Sequence, residues 1–276
     1  MKAFFNKGTV VVRGRFDLES DELVWDSRID AFRCLAYKWL KIRKKIKPKP
    51  EEDVFHPIGY PKILKKPLLR TYQAEAFKKW EETKRGVIVL PTGAGKTLVG
   101  INAICELEVP TLVIVPTLDL LSQWISSLSD YVISADEWSG RRKMLAPVVV
   151  STYDSAYISA DYLGDKFSLL IFDEVHHLPA ETYRQIAEMS VAEYRMGLTA
   201  TPEREDQLHL LLSDLIGPKI FEITASQLKG SFLSDWDIVT IKVEMTPDEM
   251  REYRENIDYY RSAMLALHLN PGYKKD

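Results

Sequence analysis

The sequence predicts an α/β fold in which a mainly parallel sheet is covered by helices on both faces. Short apolar runs lie between residues 86 and 224, and segments with helical spacing of apolar residues separate them. These runs are continuous and rich in Val, Ile and Leu, which is typical of strands buried on both faces. Of the 276 residues, 46% are hydrophobic, which is enough for a sizeable core.

A small α+β domain is predicted ahead of this fold, from residue 1 to residue 60. The β-branched segment Thr9–Phe16 favours a strand. From Ser27 to Ile46 apolar residues recur near helical spacing, and we expect a helix there. Pro48 and Pro50 would end this helix, because proline lacks the N–H group that helix hydrogen bonds require.

The end of this predicted helix is strongly basic. Its cationic side chains are Lys38, Lys41, Arg43, Lys44, Lys45, Lys47 and Lys49. Because the formal net charge of the whole chain is −3, any contact with nucleic acid would have to come from a local patch. Two interpretations remain open. The lysines contact DNA phosphates while Trp39 stacks on a base, or they form a solvated helix end while Trp39 packs in the core.

The main domain is predicted to span residues 61–245. Its strands are expected at residues 86–90, 111–115, 147–152, 168–172, 194–200 and 218–224. Its helices are expected at residues 72–83, 97–107, 118–130 and 180–189. A third segment, residues 246–276, opens with Thr246, Pro247 and Glu249 in the arrangement of a capping box, which predicts the start of another helix.

The cysteines and the hydropathy favour a cytoplasmic protein. Cys34 and Cys105 have no metal-type spacing, so free, reduced thiols are expected. No run approaches the 18 apolar residues of a membrane helix, and the N-terminal residues lack the apolar run of a signal peptide. We therefore expect no membrane partner.

A phosphate-binding loop is predicted where the segment VIVLPTGAGKTLVG places a strand, a glycine-containing turn and a helix in succession. The glycines let backbone N–H groups curl around an anion, and the helix N-terminus adds a positive field. Lys96 would reach the phosphates and Thr97 would coordinate Mg²⁺. Leu90 stands where the usual motif has its first glycine. The predicted ATP site comprises Thr92, Gly93, Ala94, Gly95, Lys96 and Thr97.

Two acids follow the apolar run at residues 168–172. A strand that ends in acids carries carboxylates to the carboxyl edge of the sheet, where ligands bind in such folds. There Asp173 can hold Mg²⁺ and Glu174 can polarise a water molecule for hydrolysis. Taken alone, the acids could equally cap the next helix. Together with Lys96 they predict a catalytic site for nucleotide hydrolysis.

With these two motifs in place, other segments resemble the motifs of the superfamily 2 helicases. PTGAGKT, DEVH and TAT look like motifs I, II and III. LLRTYQAEA resembles the Q motif, which implies that Gln73 reads the adenine edge with Arg70 beside it. The resemblance also implies that a set of residues after the phosphate loop couples ATP hydrolysis to DNA, namely His176, Thr199 and Thr201.

The nucleic-acid contacts follow from the same resemblance. VPTLDLLSQW and STYDS look like motifs Ia and Ib, which implies contacts with the DNA backbone by Thr117, Gln123 and Thr152. TATPEREDQ resembles the R-E-D motif of the xeroderma pigmentosum group B helicases, DNA-repair relatives of a transcription factor IIH subunit. This implies a role in strand separation for Arg204, Glu205 and Asp206. DEVHHLPAETYR is also similar to that family.

This resemblance is specific from about residue 68 to residue 206 and weaker outside that range. It implies a damage-recognition-like domain before residue 60, a RecA-like first lobe, and a truncated thumb-like helical insertion after residue 245. ATP and Mg²⁺ are the implied cofactors, and DNA is the implied partner, with a repair nuclease as a further one. The family also needs a second RecA-like lobe with an arginine finger, which nothing in residues 207–276 resembles.

An arginine finger is worth roughly 10³–10⁵ in rate, so the chain alone is expected to bind ATP weakly and hydrolyse it very slowly. The favoured function is an ATP-dependent DNA helicase or translocase of the nucleotide excision repair type. Two alternatives remain open. One is a restriction-type superfamily 2 translocase, which would share motifs I to III. The other is a non-catalytic DNA-binding module whose nucleotide site is structural.

Overall fold

The structure of the protein is a computed structural model, which describes residues 1–16, 20–201, 210–230, 232 and 241–266. The chain divides into two compact units, residues 1–234 and residues 235–276. In the described part of the first unit, the strands form one sheet of five strands and one of seven. No helix among the described residues is long and apolar enough to cross a membrane.

The five-stranded sheet is built from the N-terminal part of the chain. Its strands are β1 (Lys2–Asn6), β2 (Thr9–Arg13), β3 (Val24–Asp26), β4 (Ala31–Leu35) and β5 (Glu51–Asp53), in the order β3-β4-β2-β1-β5. The β1–β2 hairpin turns through Lys7 and Gly8, which both have positive φ, as the right-handed twist of paired strands favours. β5 pairs with β1 in parallel and forms one edge of the sheet.

The helix predicted from Ser27 to Ile46 is wrong in its first half. The chain turns at Asp30, whose φ is +50°, and then forms β4, where Cys34 pairs with Val10 and Phe32 with Val12 of β2. The predicted helical spacing is accidental there, because as a strand this segment buries Ala31 and Cys34 and leaves Leu35 40% exposed. Helix begins only with α1 (Trp39–Lys45), which follows a short 3₁₀ turn.

The core of the N-terminal domain decides between the two interpretations of Trp39. Its side chain is only 1% exposed and packs with Ile42 and Ile46 against β2. Trp39 is therefore a core residue and does not stack on a base. Both cysteines are free, as predicted, and the structure shows that both are buried.

The seven-stranded sheet confirms the predicted fold class. Its strands are β6 (Arg85–Val89), β7 (Thr111–Val115), β8 (Ala135–Trp138), β9 (Val148–Thr152), β10 (Leu169–Asp173), β11 (Tyr194–Thr199) and β12 (Lys219–Glu222). Their order is β12-β6-β11-β10-β7-β9-β8, and every neighbouring pair is parallel. The sequence missed β8, an edge strand that carries two acids and is only half-buried.

Helices cover both faces of this sheet. They are α2 (Thr71–Thr83), α3 (Lys96–Leu107), α4 (Leu118–Leu128), α5 (Tyr153–Ile158), α6 (Ala160–Leu163), α7 (Arg184–Glu188), α8 (Leu210–Leu215) and α9 (Ala225–Leu228). Successive side chains of one strand point to opposite faces of the sheet. Val113 packs with α2, α3 and α4, whereas Leu112 packs with α5 and α7. The helix predicted at residues 180–189 is shorter than expected and begins only at Arg184.

The second unit contains α10 (Pro247–Ala266). The predicted capping box is present. The Glu249 carboxylate accepts hydrogen bonds from the Thr246 N–H at 2.8 Å and the Thr246 hydroxyl at 2.9 Å, and the Glu249 N–H donates to the Thr246 hydroxyl at 3.3 Å. These bonds lower the pKa of the Glu249 carboxyl.

Candidate functional site

The carboxyl ends of five neighbouring strands carry the predicted motifs. In the sheet order β6-β11-β10-β7-β9, the strands lead respectively into motif I, motif III, motif II, motif Ia and motif Ib. All five are parallel, so these ends meet at one edge of the sheet. Segments that are far apart in the sequence therefore share a single surface.

The phosphate loop runs from the end of β6 to the start of α3. Gly93 and Gly95 have φ values of +79° and +74°, and Gly95 is the N-cap of α3. A Cβ atom on Gly95 would lie 2.5 Å from Nε2 of Gln73, so only glycine fits there. Leu90, at the position of the missing first glycine, is fully buried, and its N–H donates to the Thr199 carbonyl at 3.0 Å. That position is used for packing here.

Residues of the Q motif form hydrogen bonds with the backbone of this loop. Nε2 of Gln73 donates to the Ala94 carbonyl at 2.8 Å, and the Tyr72 hydroxyl donates to the same carbonyl at 2.9 Å. Oε1 of Gln73 accepts from the Arg70 N–H at 2.8 Å. Gln73 is 1% exposed, so both ends of its amide are engaged with the backbone. A contact with adenine would require some of these bonds to be exchanged.

Arg70 lies beside an aromatic residue that the sequence did not identify. Its guanidinium is 5.8 Å from the centroid of the Phe232 ring and donates to the Phe232 carbonyl at 3.3 Å. The rings of Tyr72 and Phe232 meet edge to face with their centroids 5.0 Å apart. Phe232 lies more than 150 residues from the Q motif in sequence, and no local pattern links the two.

The two acids meet the phosphate loop at the tip of β10. Lys96 Nζ lies 3.4 Å from the Glu174 carboxylate, which joins motif I to motif II. Asp173 is 4% exposed, and burial raises the pKa of its carboxyl while a hydrogen bond from Trp124 opposes that rise. A buried carboxylate of this kind is stabilised in its charged form by a cation.

Mg²⁺ fits the chemistry of the side chains at this edge. Asp173 offers a carboxylate and Thr97 a hydroxyl, and Mg²⁺ prefers such hard oxygen ligands. Thr97 lies in the first turn of α3, directly after Lys96. The predicted metal ligands therefore start from adjacent elements of one edge.

The predicted coupling residues form one hydrogen-bonded network with Glu174, the predicted catalytic glutamate. The Thr199 hydroxyl donates to the Glu174 carboxylate at 3.4 Å and lies 3.0 Å from His176 Nδ1. The Thr201 N–H donates to the same Thr199 hydroxyl at 3.1 Å. The His176 ring is also 3.5 Å from the Glu174 carboxylate. Motif III is thus in direct contact with motif II.

The candidate DNA contacts of motifs Ia and Ib cap two helices at the same edge. The Thr117 hydroxyl accepts from the Leu120 N–H at 3.2 Å at the start of α4, on which Gln123 is exposed. The Thr152 hydroxyl accepts from the Ser155 N–H at 3.3 Å at the start of α5. Arg204, Glu205 and Asp206 lie outside the described residues.

Two further aromatic residues contact the acids, and sequence reasoning missed both. The Trp124 indole N–H donates to the Asp173 carboxylate at 2.8 Å. The Tyr153 hydroxyl donates to the Asp173 carbonyl at 3.1 Å. Each directly follows a predicted DNA contact, Gln123 or Thr152, and this adjacency was the available signal. By spacing alone each looks like an ordinary core residue.

Comparison with known proteins adds the family. The family model described as "Type III restriction enzyme, res subunit" matches residues 66–204, just over half of the chain. The chain is 42% identical over 241 residues to the DNA 3'-5' translocase XPB2 of Sulfurisphaera tokodaii, covering 86% of this chain and 55% of that protein. The chain belongs to the superfamily 2 helicases of the xeroderma pigmentosum group B type. The predicted family is confirmed.

Other members of this family are more distant. The chain is 34% identical to the DNA 3'-5' helicase XPB of Mycobacterium tuberculosis, over 67% of this chain and 36% of that protein. It is also 34% identical to the general transcription and DNA repair factor IIH helicase/translocase subunit XPB of Antonospora locustae, over 74% of this chain and 33% of that protein. The chain thus spans about half the length, or less, of these curated relatives.

Proposed function

We propose that this chain is the ATP-binding first lobe of a DNA-dependent ATPase that acts as a helicase or translocase in DNA repair. The observation that carries this proposal is the 3.4 Å contact between Lys96 and Glu174. It brings a phosphate-binding lysine and a candidate general base together from two motifs. The names of its relatives, DNA translocase and DNA repair factor helicase, support the same reading.

In the proposed site the loop residues bind the triphosphate of ATP. Backbone N–H groups of the loop converge on the phosphates, and Lys96 adds its charge at the N-terminus of α3. Thr97 and Asp173 would hold Mg²⁺, which neutralises the phosphate oxygens when it is bound. Gln73 bonds to this loop and Arg70 bonds to Gln73, on the side proposed for the adenine.

Glu174 has two roles in this proposal. Before ATP binds, its carboxylate pairs with Lys96 and with the Thr199 hydroxyl. When Lys96 turns to the phosphates, Glu174 is free to accept a proton from the attacking water. His176 and Thr199 contact the same carboxylate, so a shift of motif III changes the orientation of the base.

The DNA and the remaining partners belong to the whole protein. We propose that DNA binds across motifs Ia and Ib, and that a second RecA-like lobe supplies the arginine finger. Residues 1–60 form a damage-recognition-like domain in this proposal, residues 61–245 the first lobe, and residues 246–276 the start of a thumb-like insertion. A repair nuclease is a proposed partner, and the proposed location is the cytoplasm.

A restriction-type translocase is the second candidate, because the matching family model takes its description from a restriction enzyme subunit. The two functions differ in the nucleic-acid structure that stimulates the ATPase. A repair helicase responds to bubbles, forks or damaged duplexes. A restriction translocase responds to a specific recognition sequence in intact duplex DNA.

The variant Glu174→Gln tests the catalytic assignment. In the whole protein, which includes the second RecA-like lobe, loss of the general base should reduce the single-turnover rate of ATP hydrolysis with DNA by about 10²–10⁴-fold. ATP affinity should persist, because the phosphate loop is intact. The rate would be measured with radiolabelled ATP and excess protein, and the affinity with a fluorescent ATP analogue.

The matched control for this variant is Glu181→Gln, which removes an exposed carboxylate from the same region. The control should hydrolyse ATP at the wild-type rate. Equal rates for the Glu174 variant and the control would disprove the assignment of the base. A non-catalytic DNA-binding module would give that result.

A further inference from the structure

The Asp173 carboxylate is oriented by an indole from the motif Ia helix. Oδ2 of Asp173 accepts from the Trp124 Nε1–H at 2.8 Å, and Oδ1 accepts from the Glu174 N–H at 3.0 Å. Trp124 is 1% exposed, so water does not compete for this bond. A hydrogen bond to a charged acceptor in a dry site is stronger than one at the surface.

The Trp124 ring is buried and lies in close contact with the helix of the phosphate loop. It is packed against Gly100 of α3, where a Cβ atom would lie 2.6 Å from the ring carbon Cη2. The same Cβ atom would lie 3.3 Å from Cδ1 of Leu198 in β11. The indole therefore packs against the phosphate-loop helix, while its N–H bonds to Asp173 at the end of β10.

A second donor, from the motif Ib helix, holds the backbone of the acids. The Tyr153 hydroxyl donates to the carbonyls of Asp173 at 3.1 Å and Glu174 at 3.4 Å. Glu174 has a φ of +48°, a left-handed conformation that is unfavourable for a residue with a side chain. The buried Tyr153 ring packs against Phe172 and Tyr183, which fixes the hydroxyl beside this turn.

We propose that Trp124 and Tyr153 are positioning residues, which fix the Asp173 carboxylate for the metal of Mg-ATP and the Glu174 turn for catalysis. This inference rests on the proposed function, because it assumes that Asp173 binds that metal. Through these two side chains, the motif Ia and Ib helices contact the acids directly. α4 also carries Gln123, and α5 begins after Thr152, and both of these residues are predicted DNA contacts. If DNA binding shifts either helix, a single side chain would carry that shift to the acids.

The decisive experiment compares ATP affinity with and without Mg²⁺ for Trp124→Phe. The variant keeps an apolar ring but loses the N–H donor, and removing a group that orients a metal ligand typically costs about 10–100-fold in metal affinity. We expect the ratio of the two ATP affinities, measured in Mg²⁺ and in EDTA, to fall by about 10-fold or more. The affinity in EDTA should not change, because the phosphate loop is untouched.

Trp80→Phe is the matched control. Trp80 is also fully buried, and its indole N–H donates at 2.9 Å to the Arg195 carbonyl, at the opposite end of β11. Both variants remove the same atoms from the core, and only one removes a donor to a carboxylate. General loosening of the fold would lower both ATP affinities equally and leave their ratio unchanged.

Gly100→Ala gives an independent test, because it displaces the Trp124 ring and leaves the indole chemistry intact. It should lower the Mg²⁺-dependent ratio in the same direction as Trp124→Phe. Tyr153→Phe should lower kcat in DNA-stimulated hydrolysis and leave the KM for ATP unchanged. Its control, Tyr183→Phe, loses a hydroxyl that bonds only to the exposed side chain of Asp154 among the described contacts.

The outcomes separate this inference from the proposed function. If the unaltered protein shows no Mg²⁺-dependent ATP binding, the proposed function fails. If it does, and Trp124→Phe keeps the same affinity ratio as Trp80→Phe, then Trp124 does not position the metal ligand. Equal kcat values for Tyr153→Phe and Tyr183→Phe would overturn the role of Tyr153.

Discussion

Gly95 illustrates how one residue satisfies two constraints at once. Its φ of +74° lets the loop enter α3, and its missing side chain leaves room for the Gln73 amide. The first constraint acts on the backbone and the second on packing. Both act at the place where the phosphates of ATP are proposed to bind.

Gly95→Ala should therefore destabilise the fold and weaken ATP binding. The left-handed conformation alone costs a non-glycine residue about 1–2 kcal/mol. The added methyl group also displaces Gln73 from the Ala94 carbonyl, so the loop loses its support from beneath. Denaturant unfolding and ATP titration would measure the two effects.

Gly140→Ala is the control for that substitution. Nothing lies within 4 Å of a Cβ atom on Gly140, so the added methyl group meets open space. Its free energy of unfolding and its ATP affinity should match the unaltered protein. A Gly95→Ala variant with the properties of this control would show that the loop tolerates a side chain.

At the scale of an element, α1 separates a buried face from a basic one. Trp39 and Ile42 pack in the N-terminal core. Near the end of the helix, Lys44, Lys45 and Lys47 are exposed. Other cations of the cluster have acidic neighbours, as Lys38 and Lys41 both approach Glu22 within 3.5 Å. The exposed lysines are thus the part of the cluster best placed to meet a phosphate backbone.

Replacing Lys44, Lys45 and Lys47 together with Gln tests this surface. If all three contact phosphates, the slope of log K against log salt concentration for duplex DNA should become less negative by up to about 3. The binding constant would be measured at several salt concentrations by fluorescence anisotropy. Replacement of the exposed Lys62, Lys78 and Lys79 makes the same change in net charge elsewhere. Identical slopes for the two triple variants would exclude a DNA contact at α1.

At the scale of the molecule, the small sheet and the main domain are joined within one compact unit. Val191 of the main domain packs in the core of the N-terminal sheet. The Tyr37 hydroxyl, just before α1, donates to the Asp214 carboxylate of α8 at 3.0 Å. The His56 ring lies between Asp53 of β5 at 2.8 Å and Asp165, after α6, at 2.7 Å. The N-terminal sheet is thus fixed to the main domain at several points.

The His56 contacts predict how this junction responds to pH. Hydrogen bonds to Asp53 and then to Asp165 raise the pKa of His56, with burial opposing. A group whose pKa is raised in the folded state stabilises the fold fully below its unfolded pKa of about 6.5, and that stabilisation is lost as pH rises through the folded value. Because the ring is partly exposed, the contribution is modest, about 0–1 kcal/mol.

His56→Gln should remove this component of stability. The difference in free energy of unfolding between the unaltered protein and the variant should be largest near pH 5.5 and should shrink towards pH 8.5. Denaturant titrations at several pH values would measure it, and the comparison cancels contributions from other histidines. A difference that stays constant across this range would mean that the junction does not depend on His56 protonation.

The sequence by itself determined the main fold and the positions of the candidate phosphate loop and acids. Continuous apolar runs such as that of β7 predict strands because a strand buried on both faces needs apolar residues at successive positions. The phosphate loop can be predicted because it needs a glycine, Gly95, for its left-handed backbone and a lysine, Lys96, directly after it for its charge. Both the apolar run and the loop motif depend on residues adjacent in sequence, so neither depends on contacts distant in the chain.

The tertiary structure decided what depends on partners distant in the chain. The first half of the predicted N-terminal helix is instead β4, which pairs with β2 and buries Ala31 and Cys34 but not Leu35. Likewise, the hydrogen bond from Trp124 to Asp173 joins α4 to β10, and the only local signal for it was that Trp124 directly follows a predicted DNA contact. Local sequence specifies conformation and charge, whereas the partner of a buried polar group is set by how the elements pack.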